Sequence, residues 1–588
     1  MGALESAGWQ IVVLAAVGAP LLAAVVVALT ATYGARARFE VAAAAAALPA
    51  LFAAVILPPG QVELGGLFLG ASIAVDPLGR LFFALTAIVW LVGGVYGLGY
   101  LRKRHHRPEF FAVYGVALCG ALGLTLAADI VSFYVLFNVM TLASYGLIVH
   151  ERDARATRAA RIYIAMAIGG DVLLFAGIVL VAFESGGLDL AAAPAAIAES
   201  NATGLISALL FFGFGVKAGA LGLHMWLPLA HPAAPTPASA ILSGAVIKAG
   251  LLGWLRFLPL GETSVAALGL WVAASGLFAA FAAALYGAFA REAKTVLAYS
   301  SVSQMGLVTS VVGVVLLRPD RVDQGMLAAG GFAVHHGLSK LALFLGVGVV
   351  RARLHPLARG LAFGGVVFGV AAMVGLPLTS GAVAKKAMAE VAPGGVGPGF
   401  ELLSSLIALS SAATLIVLIA LLARLRREAG IERAAPPIML FAYGAAVVLL
   451  AASVAVFPAI GLGEVLRESV ALAEVAGALW PLAVGGVVVA AAAAIARYGG
   501  RLPTAAPGDL IVVLASVGRD ARAMSRGLGG RLEETRAALR SRTRRTWLRI
   551  RPLLARALAT ESWLVTFRVG ALATVLIALA LALASMGW

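Results

Sequence analysis

The sequence of 588 residues contains one cysteine, Cys119. A single thiol neither closes an intrachain disulfide nor holds an iron–sulfur cluster, so both are excluded for this chain. Charge is also scarce. Asp, Glu, Lys and Arg make up 12% of the residues against 62% hydrophobic, and the mean hydropathy is +0.99. Too little polar surface remains for a soluble domain to face water. No cluster, haem or nucleotide-binding motif is found, so no cofactor, no metal and no redox chemistry are expected. Acidic residues are the rarer sign, 28 against 44 basic. The resulting net charge of +16 does not indicate nucleic acid, because the basic residues are gathered in short loops between apolar runs.

Those runs are about 20 residues long, enough to cross roughly 30 Å of hydrocarbon. About sixteen are expected, near 9–31, 39–58, 76–101, 109–127, 130–150, 159–183, 203–226, 236–258, 264–289, 294–316, 325–350, 360–390, 401–423, 437–458, 477–496 and 563–586. The fold class is an all-α polytopic membrane protein. The first run is preceded by Glu5 and no basic residue, so it reads as a retained helix and not a cleaved signal. Basic loops follow spans 1, 3, 5, 9, 11 and 13: "ARAR" (35–38), "RKRHHR" (102–107), "ERDARATRAAR" (151–161), "REAK" (291–294), "RARLHPLAR" (351–359) and "RLRREAGIER" (424–433). The alternate loops are acidic or nearly uncharged, apart from "LRPDRVDQG". Basic loops stay in the cytoplasm. The expectation is a multi-pass protein of the cytoplasmic (inner) membrane with its N-terminus outside.

The domain boundaries follow. Residues 1–101 hold helices 1–3, 102–258 a first five-helix repeat, 259–424 a second, and 425–500 helices 14 and 15. A basic segment (501–560) and a final span (561–588) close the chain. Within 508–557, Leu528, Leu532, Leu539, Trp547, Ile550 and Leu554 recur at helical spacing. This predicts an amphipathic helix on the membrane surface. It either adheres to anionic lipid or straps neighbouring spans.

An ionisable residue at membrane depth costs about 3 kcal/mol or more, which makes such residues few and functional. Here they gather in the central spans: Asp171, Lys217, Lys248, His335, His336, Lys340, Lys385 and Lys386. Lys217, Lys248 and Lys340 are expected mid-span, where snorkelling is difficult. Lys386 and Glu390 are four apart and suit a plain helical ion pair. Lys294 serves equally as an accessory proton site or as an anchor at a basic loop. Adjacent His335 and His336 point about 100° apart on a helix and lack a third ligand, so a metal site is not expected. Removing water disfavours a charged ammonium, and a nearby carboxylate favours it. A row of buried amines joined by water and by histidine, which titrates near neutrality, is a proton wire.

Two spans read as broken. Pro228, Pro232, Pro235 and Pro237 interrupt the seventh–eighth region, with His224 and His231 beside them. Gly375–Leu376–Pro377 and Gly381 interrupt the twelfth just before Lys385. Breaks in corresponding places of two halves suggest inverted repeats with sites at the breaks. Spans 4–8 and 9–13 start on opposite sides, which suits two inverted five-helix repeats.

The stretch "HMWLPLAHPAAPTPASAILSGAVIKAG" resembles the motif H-x-W-L-P-x-A-H-x-A-A-P-T-P-x-S of the antiporter-like subunits found in respiratory complex I, Mrp-type antiporters and membrane-bound hydrogenases. "AKTVLAYSSVSQMGLV" and "HHGLSKLALFLGVG" are similar to two further motifs of that family. The similarity covers about spans 3–13. It implies two inverted repeats and a central axis of lysines and histidines carrying protons. By motif position Lys217 matches the pumping lysine, Lys248 the next lysine, His336 and Lys340 the connecting helix, and Lys385 the exit residue. A surface helix before a last span is similar to the largest complex I subunit.

Two positions depart from the pattern. Asn138 stands where the family has the glutamate that pairs with the pumping lysine, and Leu229 where an aspartate is common. Asp171 matches an acid of the largest complex I subunits and is expected to take over as the switching partner of Lys217. The function expected is a proton-translocating subunit with other membrane subunits as partners. The alternatives are a sodium/proton antiporter subunit, with Asp171 as a sodium ligand, and a non-conducting scaffold, suggested by Asn138.

Overall fold

The computed structural model describes residues 3–30, 36–64, 70–104, 106–392, 398–498 and 503–505. The chain divides at Pro507 into two units. The amphipathic segment expected over 508–557 and the span expected over 563–586 fall in the second and lie outside the described residues.

The first unit is a helical bundle. It begins with α1 (Ala3–Thr30), α2 (Arg36–Ala45) and α3 (Leu48–Ile56), then a hairpin of β1 (Gly60–Leu64) and β2 (Ala71–Val75). There follow α4 (Pro77–Tyr100), α5 (Arg107–Leu126), α6 (Ile130–Val149), α7 (Ala154–Ser185), α8 (Ala193–Glu199), α9 (Thr203–Ala218), α10 (Leu227–Ala233), α11 (Thr236–Ile241) and, across a π-helical turn, α12 (Ile247–Phe257). The second half holds α13 (Ala266–Ala288), α14 (Ala293–Leu317), α15 (Val322–Arg351), β3 (Ala352–Arg353), α16 (Pro356–Val374), α17 (Ser380–Glu390), α18 (Pro398–Glu428) and β4 (Glu432–Ala434). It closes with α19 (Pro437–Ala452), α20 (Gly463–Ser469) and α21 (Leu472–Arg497). Among the described residues, thirteen helical segments are long and apolar enough to cross a bilayer, with shorter apolar helices at Glu40–Ile56 and Thr203–Ala218.

Alternate loops meet at opposite ends of the bundle. At one end Arg107 pairs with Glu40 (2.7 Å), Arg104 with Glu151 (2.7 Å), Arg155 with Glu292 (2.6 Å) and Arg351 with Glu432 (3.1 Å). These contacts draw the basic loops together. At the other end Asp129 caps α6 through the Ser132 amide and accepts from the Ser72 amide of the hairpin. There Arg256 also reaches Asp76 at 2.5 Å.

Several elements differ from the sequence expectation. The seventh span stops at Ala218, so Lys217 lies in the last turn of α9 and not mid-span. The break there comes from Gly219 and Gly222, both at positive φ, which a residue without Cβ adopts freely. The prolines make a second break, where Ala234 and Pro235 are extended between α10 and α11. Pro228 and Pro237 occupy first turns of α10 and α11, where no donor is missed. Pro235 caps α11, and Pro232 sits inside the short α10. The eighth span, Thr236–Phe257, begins after that break and carries a π-turn at Leu242–Val246. The twelfth breaks as expected at Gly375, but Gly381 is not a breaker. It lies inside α17, where α17 crosses α16. The second span has a turn at Ala46–Ala47 between α2 and α3. The arginines of 151–161 largely begin α7 rather than form a loop, because Asp153 caps that helix through the Ala156 amide. The β1–β2 hairpin replaces what reads as a plain acidic loop.

The core is set by close helix approach. A Cβ on Gly313 of α14 would lie 2.3 Å from the Ala273 amide of α13, and one on Gly276 would lie 2.6 Å from the Gly306 carbonyl oxygen. Such small residues let membrane helices pack backbone to backbone. The segment Thr236–Phe257, α14 and α15 are thereby enclosed by protein on nearly every side. Their polar residues therefore face protein and not lipid.

A Cβ on Gly381 would fall 1.8 Å from the Ala372 carbonyl oxygen, whereas one on Gly360 would meet open space. Gly381→Val is expected to destabilise the protein by about 1–3 kcal/mol or more through overpacking, read as a lower thermal midpoint in detergent. Gly360→Ala should leave the midpoint unchanged or slightly raised. An equal fall for both would contradict this packing.

Candidate functional site

The buried cations are held by carbonyl groups as much as by side chains. Helix ends and π-turns leave carbonyl oxygens without an intrahelical partner, and three lysines use such oxygens. Lys248 Nζ donates to Ser243 O in the π-turn at 2.6 Å. Lys294 Nζ donates to Ala234 O at the end of α10 at 2.8 Å. Lys385 Nζ donates to Val374 O at the end of α16 at 3.0 Å. Lys340 Nζ donates to Leu297 O (3.0 Å) and Ser300 Oγ (2.5 Å) on α14.

The two histidines of α15 point to different neighbours, as their 100° separation requires. His336 Nδ1 is 2.7 Å from Lys248 Nζ, which ties α12 to α15. His335 Nδ1 is 2.9 Å from Ser380 Oγ at the start of α17. The rings of His336 and Phe332 stack at 5.1 Å, and those of His231 and Phe344 at 4.7 Å. His231 is fully buried. The Nε2 atoms of His231, His335 and His336 have no hydrogen-bond partner among the described residues. His224 is buried in the turn before α10.

Lys217 and Asp171 are not in contact. Lys217 Nζ donates to the Tyr163 hydroxyl at 2.6 Å. Asp171 accepts from the Asn138 amide (2.8 Å) and the Tyr134 hydroxyl (3.0 Å). Asn138, standing where an acid is expected, thus binds the acid that the sequence offers in its place. Lys217 and Lys248 are joined through packing: a Cβ on Gly250, two residues past Lys248, would lie 2.5 Å from the Ala218 amide.

At the far end of the row a cavity of about 470 Å³ opens between α17, α18 and α21. Lys385, Ser411, Lys386, Glu390 and Glu474 are among its lining residues, and Lys385 Nζ is 2.9 Å from Ser411 Oγ. Lys386 does pair with Glu390, and equally with Glu468 and Glu474, each at 3.2 Å. Among the described residues no group of three or more His, Cys, Asp or Glu side chains is placed to hold a metal ion.

Sequence reasoning does not single out Tyr134, Tyr163, Ser380 or Ser411. One signal was available: Tyr163 and Asp171 are eight residues apart on α7 and so lie close to one face. Ser300 lies inside the "AYSSVSQMG" stretch.

Lys386 sits among three carboxylates that are each 41–54% exposed. Lys386→Met is expected to lower stability by about 1 kcal/mol or less, because exposed pairs are screened. The difference from wild type in thermal midpoint should shrink further at high salt. A large, salt-insensitive loss would show that the lysine acts as a buried ion.

Residues 127–392, which span Asn138 to Lys385, match the family described as NADH:quinone oxidoreductase/Mrp antiporter, transmembrane. The chain is 32% identical over 301 residues to hydrogenase-4 component B of Escherichia coli (strain K12). That match covers 49% of this chain and 44% of that protein, less than half of either. It is 30% identical over 359 residues to a Na(+)/H(+) antiporter subunit of Bacillus subtilis (strain 168), covering 58% of this chain and 70% of that one. In fold it is similar to a chain of the Mrp complex from Dietzia sp. DQ12-45-1b, with a TM-score of 0.72 at 23% identity over 94% of this chain and 62% of that chain. A shared membrane fold, and a match at this identity to more than two thirds of an antiporter subunit, lead to one assignment: the chain belongs to the NADH:quinone oxidoreductase/Mrp antiporter transmembrane family.

Proposed function

We propose that this chain is the proton-translocating membrane subunit of a multisubunit ion-pumping or antiport complex. The carrying observation is the Lys248–His336 hydrogen bond, set between buried Lys217 on one side and Lys340, His335 and Lys385 on the other. A proton enters from the basic, cytoplasmic end near the break after α9 and loads Lys217. It passes to Lys248, crosses to α15 at His336 and Lys340, and leaves by Lys385 into the cavity beside Ser411. The unpaired imidazole nitrogens offer polar atoms for waters to bridge the gaps between these residues. Lys294 and His231 are accessory groups on the same axis.

Asp171 is the switching partner of Lys217. Its field reaches the lysine without contact, so a shift of α7 or of the Lys217 side chain that closes the gap makes the ammonium harder to discharge. Opening the gap favours release to Lys248. The N-terminus lies outside and the basic loops inside the cytoplasmic membrane. The partners are other membrane subunits, in keeping with the names of the antiporter and hydrogenase relatives.

Sodium/proton exchange is the second reading. Asp171 of α7 is a carboxylate held beside Asn138 of α6, and carboxylate oxygens suit a hard cation. A scaffold role is the third.

Lys217→Ala separates conduction from scaffolding. Proton uptake into sealed vesicles carrying the full chain is expected to fall at least about tenfold while the chain still assembles. Unchanged uptake would favour the scaffold. Asp171→Asn is expected to slow transport several-fold by removing the switching charge; full activity would remove Asp171 from the mechanism. A requirement for sodium that Asp171→Asn abolishes would instead establish the exchange reading.

A further inference from the structure

Among the described residues no carboxylate touches the Lys217 ammonium, yet it is buried to 3% exposure. Its surroundings are aromatic. The Nζ atom lies 4.7 Å from the centre of the Tyr163 ring, 5.8 Å from that of Trp226 and 5.9 Å from that of Phe137. The Trp226 and Phe137 distances are near the outer limit at which a ring face attracts a cation, whereas Tyr163 meets Nζ at its hydroxyl edge. The phenol oxygen of Tyr163 accepts a hydrogen bond from Nζ at 2.6 Å. Its own proton goes to the Thr141 carbonyl at 2.8 Å, so this oxygen presents a lone pair to the lysine.

The rings are fixed in place. Trp226 Nε1 donates to Val216 O, one residue before the lysine, at 2.7 Å. The Trp226 and Tyr163 rings meet edge to face at 5.1 Å. Phe137 packs against Phe133 and Phe214. Three separate elements, α6, α7 and the turn before α10, therefore converge on one ammonium.

We propose that the rings of Phe137 and Trp226, with the Tyr163 hydroxyl as acceptor, form an aromatic cage that seats the protonated form of Lys217 in place of a counter-ion. The cage rests on the conducting role given to Lys217 above and adds three positioning residues to it. A ring quadrupole attracts an ammonium and has little hold on a neutral amine, so the seat favours the loaded state. It adds no second ion to be desolvated. A lysine held this way is loaded without being locked to a carboxylate, and Asp171, kept apart by Asn138 and Tyr134, is left to act as the movable charge.

The groups around the seat are few. Asp171 on α7 is the charged group whose field reaches Lys217. Asn138 and Tyr134 of α6 bind Asp171. His224 shares the turn with Trp226, and α12, packed against α9, brings Gly250 and Trp254 to the contact.

The test is the pH profile of proton uptake in sealed vesicles carrying the full chain. Lys217 must be protonated to donate, so weakening the seat moves the alkaline limb to lower pH. Trp226→Leu and Phe137→Leu are each expected to move it by the equivalent of a roughly 3- to 30-fold loss of proton affinity. Trp226→Phe, which keeps a ring, should move it less, and Tyr163→Phe, which removes the hydroxyl acceptor, should move it in the same direction. Where Trp226→Leu fails to assemble, Phe137→Leu carries the same test, since that ring makes no hydrogen bond. A lowered rate with an unshifted profile in the ring variants, or an alkaline shift, overturns the cage. If Lys217→Ala leaves uptake intact, the conduction reading falls first. If that variant collapses uptake and the ring variants leave the profile in place, the cage alone falls.

Discussion

A buried ammonium must find electron-rich atoms, and nearly everything at the centre of this bundle answers that demand. Water is the usual source, and hydrocarbon offers none. The fold supplies carbonyl oxygens by ending or loosening helices beside the lysines. The π-turn frees Ser243 O for Lys248, the end of α10 frees Ala234 O for Lys294, and the end of α16 frees Val374 O for Lys385. Breaks in helices are costly in a membrane unless their polar groups are satisfied. Here each satisfies a lysine, and the lysine in turn satisfies the break.

Carbonyl oxygens stabilise an ammonium but do not titrate. They hold an amine in position in either protonation state. The carboxylates are kept at a distance. Asp171 is bound by Asn138 and Tyr134, and the three glutamates near the outlet are gathered by Lys386, leaving Lys385 to Ser411 and a backbone oxygen. These carboxylates are thus held by neighbours other than Lys217 and Lys385.

The helix α15 holds these parts together. It carries His335, His336 and Lys340 within six residues, and each faces a different element: α17, α12 and α14. Close glycine contacts, as between α13 and α14, bring the surrounding backbones near enough for side chains to bridge them.

The sequence by itself determined the all-α membrane class, most of the spans among the described residues and the identity of the polar residues within them. Membrane thickness imposes run length, the cytoplasmic preference of arginine and lysine imposes loop composition, and the cost of burial makes each intramembrane charge conspicuous. Lys217, Lys248, His336, Lys340 and Lys385 were legible for that reason. Only the tertiary structure decided which of them meet. The end of α9 at Gly219, the π-turn before Lys248 and the crossing of Gly381 over Ala372 depend on how packed helices share space. The partners Tyr163, Ser300, Ser380 and Ser411 are common polar residues that become part of the site only when helix rotation and depth bring them within hydrogen-bonding reach of an amine or an imidazole.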